Sequence, residues 1–70
     1  MKFILVITMC SSLQQSCMPP VQVEEVFNSH YECAYQGYTT SAEIIKNLGE
    51  EQVNKDRMYL SFSCKQTNSF

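Results

Sequence analysis

Positive charge is scarce in this chain. Five Lys and Arg stand against seven Asp and Glu, the formal net charge is −2, and no basic run is present. Attraction to a polyanion needs clustered cations, so nucleic-acid and anionic-membrane binding lack electrostatic support. His30 is the single histidine. No apolar run approaches the roughly 20 residues of a membrane-crossing helix. Phosphate loops, serine nucleophile elbows, calcium loops and C-x-x-C pairs are all missing. Internal repeats and low-complexity tracts are missing as well. These absences leave no stretch that specifies a reaction or a ligand. No enzymatic activity, cofactor, nucleic acid or transmembrane span is expected.

The chain of 70 residues makes one domain at most. Such a chain buries a modest core and often relies on staples or on a partner. Its 4 cysteines are many for a cytosolic domain and are compatible with two disulfides in an oxidising compartment.

One amphipathic helix, 29–54, organises the expected fold. Ser29 and Glu32 have capping-box spacing at its start, and Phe27 just before can pack back on the first turn. At helical periodicity Cys33, Ala34, Gly37, Tyr38, Ser41, Ile44, Ile45 and Leu48 share one side. Glu32, Gln36, Thr39, Glu43, Lys46, Asn47, Glu50 and Asn54 share the other. Gly37 and Gly49 each cost about 1 kcal/mol inside a helix. Gly37 and Ser41, both small, suit close packing on a partner. Thr40 and Glu43 form a second capping-box pair, so two helices, 29–36 and 41–54, are the competing reading.

The N-terminal apolar stretch has two readings. As a secretory signal, Lys2 is the charged region and Phe3 to Met9 the hydrophobic region, with removal of residues 1–12 or 1–16. As a buried strand, 3–10, it is rich in β-branched residues. Phe3, Leu5, Ile7 and Met9 then face one way and Ile4, Val6 and Cys10 the other, a pattern of a strand covered on both sides. The strand reading is preferred here. Residues 11–28, with Pro19 and Pro20, form a connector in which Val21, Val23 and Val26 alternate loosely. Met58, Leu60, Phe62 and Cys64 alternate with Tyr59, Ser61 and Ser63, which marks a half-buried strand over 58–64. A polar tail, 65–70, follows.

The expected fold class is therefore α+β. It is a small two-layer β-α-β unit, with the long helix packed on a two-stranded sheet that self-association completes. A strand, a helical crossover and a second strand place the two strands parallel. Cys10, Cys17, Cys33 and Cys64 then converge on one end, and Cys10–Cys64 with Cys17–Cys33 is the simplest of three pairings. Free buried thiols are the second reading. A zinc site with His30 and Cys33 among its ligands is the third, without a familiar spacing to support it.

A two-stranded sheet is marginal alone, and one apolar row of the first strand lacks a partner within the chain. Phe3, Leu5, Ile7 and Met9 are the candidate interface, most simply in a two-fold dimer. His30 reads as a solvated first-turn residue, because no nucleophile or carboxylate partner is set opposite it. Tyr31, Tyr35, Tyr38 and Tyr59 read as packing or interface aromatics.

The apolar start ending in Cys10, Cys17-x-Pro19-Pro20, Tyr31-x-Cys33 with Gly37-Tyr38, Glu50-Glu51-x-Val53-Asn54-Lys55 and Phe62-x-Cys64 together carry a resemblance. The chain resembles short proteins of marine tailed phages. That resemblance implies no activity and no site residue, only a viral accessory role. The leading expectation is thus a non-catalytic interaction or structural accessory protein that self-associates through its sheet. A secreted or periplasmic disulfide-stapled binder with a cleaved leader comes second, and a metal- or thiol-active protein third. The compartment follows the leader: oxidising if it is removed, host cytoplasm or virion otherwise.

Overall fold

A computed structural model describes residues 2–67 as a small α+β fold. Its elements are β1 (Lys2–Ser11), β2 (Ser16–Cys17), β3 (Val21–Phe27), α1 (His30–Leu48), α2 (Glu50–Asp56) and β4 (Met58–Thr67). β1 is the hub. It pairs antiparallel with β4 along one edge, and with β2 and β3 along the other.

The expected two-stranded parallel sheet is corrected here to four antiparallel-paired strands. The cause lies in the segment expected as a plain connector, 11–28. A turn over residues 12–15 reverses the chain, with Gln15 at φ 53°. The chain then runs back along β1, first as β2 and, after Met18-Pro19-Pro20, as β3. The prolines cannot donate to a ladder and break the returning strand in two. Because this hairpin inserts one extra reversal, β4 arrives antiparallel to β1. A β-α-β crossover does exist, but it joins β3 to β4, which run parallel on either side of β1.

The helix start is as expected. Ser29 has extended backbone and its Oγ accepts the Glu32 N–H at 3.1 Å. Ser29→Ala should cost about 1 kcal/mol of stability, read as a lower urea midpoint at unchanged slope. A variant with the wild-type midpoint would show that this bond does not hold the first turn.

The expected single helix, 29–54, is corrected to two helices. The break is at Gly49, whose φ of +91° is open to glycine and strained for other residues. Gly37 lies inside α1 unbroken and buried. α2 ends at Arg57 in the left-handed region, with its N–H bonded to the Val53 carbonyl. β4 continues past the expected end at residue 64, so Lys65, Gln66 and Thr67 belong to the strand rather than to a tail. The rest of that tail, 68–70, lies outside the described residues.

Directly opposed residues of an antiparallel pair share a face. One face therefore carries Phe3, Leu5, Ile7 and Met9 of β1, with Phe27 and Val21 of β3 and Cys64, Phe62 and Leu60 of β4. α1 packs there through Cys33 and Ile44, and the core cluster is Leu5, Ile7, Phe27 and Cys33. The opposite face carries Ile4, Val6, Thr8 and Cys10, flanked by Val26, Gln22, Tyr59, Ser61, Ser63 and Lys65.

Candidate interaction surfaces

The four cysteines form two pairs at bonding distance, Cys10–Cys17 and Cys33–Cys64. The simplest expected pairing, Cys10–Cys64 with Cys17–Cys33, is thereby corrected. With β1 and β4 antiparallel, Cys10 lies opposite Tyr59 and Cys64 opposite Leu5, so Cys10 and Cys64 sit at different levels of the ladder. The four do not converge on one end.

Cys10 and Cys17 face each other across the hairpin with Cα atoms 4.0 Å apart. The Met18 N–H bonds to the Met9 carbonyl, which makes this the close, non-hydrogen-bonded type of pair. Cys33 and Cys64 tie the second turn of α1 to β4. Both cysteines of each pair are spent, so Cys33 has no thiol to offer a metal. Among the described residues no three His, Cys, Asp or Glu side chains come together as a metal cluster. His30 is exposed and stands edge-on to the Phe3 ring at 5.8 Å.

The candidate interface row turns out to face the helix. Leu5 is 0 % exposed and Ile7 8 %, both inside the core, with Phe3 packed against them. Met9 lines a groove on the same side. The row left facing away from α1 is Ile4 and Val6, half-buried, joined by Val26 across the β3 pairing. Choosing between the two rows needs to know which one meets the helix. β1 alone, apolar on both sides, does not say.

Among the depressions that α1 borders, one reaches β1 and one runs along β4. The first, about 520 Å³, lies between Ile44 and Thr40 of α1, Ile7 and Met9 of β1, and the Met18-Pro19-Pro20 segment. Its walls are apolar apart from the Thr40 side chain. Sequence reading missed it, because the Pro-Pro pair reads as an interruption rather than as a wall. The second, about 480 Å³, is lined by His30, Ala34 and Tyr38 of α1 and by five consecutive residues of β4, Leu60 to Cys64. Consecutive strand residues alternate between faces. A cavity that touches all five must lie beside the strand, along its outer edge.

Tyr31, Tyr35 and Tyr38 are exposed on α1, and Tyr38 also stands edge-on to Phe62 at 4.8 Å. Tyr38 was expected on the buried side of the helix. It lies instead at the rim, over β4. Neither helix of the described residues is long and apolar enough to cross a membrane. Comparisons of the chain with protein-family models, with characterised proteins and with solved structures find no match.

Proposed function

We propose that this chain is a small non-catalytic interaction protein that works as an assembly of its own copies, with the sheet as the surface of association. The observation that carries this reading is the incomplete layering. Among the described residues a helix layer packs on one face, while the opposite face presents the apolar strip Ile4, Val6 and Val26. The buried apolar side chains among the described residues are few: Leu5, Ile7, Cys10, Phe27 and Cys33. A sheet with so small a core gains from a neighbour that removes more apolar surface from water. The resemblance to short phage proteins supports an accessory role for the assembly.

The test is sedimentation equilibrium of the oxidised chain across a wide concentration range. The expected result is a concentration-dependent mass above that of one chain. A single-chain mass at every concentration would sink the reading.

The two cysteine pairs favour a second reading, a secreted or periplasmic disulfide-stapled binder, because such bonds persist in oxidising compartments. Removal of residues 1–12 or 1–16 would take β1 with it, the strand to which β2, β3 and β4 all pair.

A further inference from the structure

The two edges of the sheet are built differently. The β3 edge is blunted. Pro19 and Pro20 interrupt the returning strand, its register with β1 shifts between Ile4 and Val6, and Glu24 and Glu25 are exposed on it. Natural sheets use such devices against pairing with a second chain. β4 has neither the proline nor the register shift, and carries a single exposed charge, Lys65. Its ten residues, Met58–Thr67, keep one unbroken register with β1. They include no glycine.

The outer side of β4 is also armed with hydrogen-bonding groups. The Ser12 N–H donates to the Arg57 carbonyl at 3.0 Å, in line with the β1–β4 register. Bonded and non-bonded pairs alternate along an antiparallel ladder. The odd-numbered residues of β4 therefore bond to β1. The N–H and C=O groups of Leu60, Phe62 and Cys64 point the other way, out of the sheet. The cavity of about 480 Å³ beside Leu60 to Cys64 lies along that line, with His30, Ala34 and Tyr38 as its far wall.

We infer that this edge joins two copies: β4 of one chain pairs antiparallel with β4 of a second, about a two-fold axis at Phe62. The inference rests on the self-association proposed above and gives it one surface, the sheet edge, which is distinct from the Ile4, Val6 and Val26 strip that a continuous sheet leaves open. The occupant is a second β4 because the strand is complementary to itself. A two-fold antiparallel pair opposes helix-facing residues to helix-facing residues, so the outward groups of Leu60, Phe62 and Cys64 meet their own kind in register. With the axis at Phe62, the two Phe62 side chains form a cross-strand aromatic pair. Ser61 opposes Ser63 of the partner subunit. Lys65 opposes Tyr59 of the partner subunit, a cation beside an aromatic ring. An axis at Lys65 would set the two lysines against each other, which is unfavourable. Both helices then lie on one side of a sheet continuous through the two chains.

Ser61 and Ser63 are exposed, so charges are tolerated there in the single chain. S61K/S63K places like charges opposite each other twice across the axis, and S61K/S63E places opposite charges there. Sedimentation equilibrium of both beside wild type is the test, with circular dichroism to check folding. The dimer of S61K/S63K should be at least about tenfold weaker, and that of S61K/S63E as tight as wild type or tighter. Equal weakening of both overturns the axis at Phe62. No change in either overturns the edge while self-association stands. A wild-type chain that stays single overturns both. If S61K/S63K unfolds, a synthetic chain N-methylated at the Phe62 amide removes one outward donor with all side chains in place. It should weaken the dimer likewise, and an unweakened dimer rejects the edge.

Discussion

Replacing Cys33 and Cys64 together by alanine should lower the unfolding free energy by about 4 kcal/mol. The bond between them closes a separation of 31 residues. In the chain-entropy picture a closure of that size contributes about 3.7 kcal/mol, by restricting the unfolded chain. The site adds to it. Cys33 is fully buried among Leu5, Ile7 and Phe27, so losing its sulfur also thins the core. Nothing else covalent holds α1 to the sheet, since the other pair lies within the β1–β2 hairpin. The matching change at Cys10 and Cys17 should cost less, about 2.4 kcal/mol, for a separation of 7 residues. Urea unfolding of the two double variants beside wild type measures both. A small domain has about 5–15 kcal/mol in total, so the Cys33–Cys64 loss is a large share. If the Cys10–Cys17 variant proved the less stable of the two, the hairpin and not the helix–sheet junction would be the point of greatest dependence.

Gly37→Leu should cost about 2 kcal/mol net. Gly37 is the buried point where α1 crosses Phe62, and a Cβ added there would overlap the Phe62 ring. The ring has little room to withdraw, because Tyr38 stands edge-on to it and the core packs beside it. Overpacking of this kind costs about 1–3 kcal/mol, with the upper end expected for a side chain as large as leucine. Leucine is a better helix former than glycine by nearly 1 kcal/mol, which offsets only part of that. Phe62→Ala on its own should destabilise by leaving a hole. Combined with Gly37→Leu, it should cost less than the sum of the two single changes, because one fills the space that the other vacates. Thermal unfolding of the three variants gives the cycle. Strict additivity would mean that residues 37 and 62 do not compete for space.

The parts of the fold that were legible in sequence are those whose signal is local. The strict alternation of 58–64 marks a strand without reference to anything else. Ser29 followed by Glu32 marks a helix start, and the capping bond is there. The hairpin was hidden for two physical reasons. Its turn, 12–15, contains no glycine, asparagine or proline, and Gln15 takes the positive φ that such residues usually supply. Its returning strand is split by Pro19-Pro20 and bulged near Glu24, so the apolar alternation of Val21, Val23 and Val26 slips out of phase. Missing one strand inverts the direction of every later one. The expected parallel sheet, the convergence of cysteines and the choice of Cys10–Cys64 all descend from that single omission. The candidate site was less legible still. A trough along a strand edge depends on which strand ends up outermost, and that is a property of topology, not of any short stretch.

Among the described strands β1 comes first in chain order, and its longest ladder is with the last of them, β4. Lys2 pairs with Thr67 and Ser11 with Met58, so the β1–β4 ladder forms in full only once residues up to 67 are available. During translation the β1–β3 hairpin is close in sequence and free to close early, with Cys10–Cys17 across its neck. The other side of β1, from Phe3 to Cys10, stays an open edge until β4 clears the ribosome. Contacts between distant parts of a chain form late. The arrangement that gives the finished sheet its centre thus gives the nascent chain an unsatisfied one, which lasts until the residues of β4 have been made.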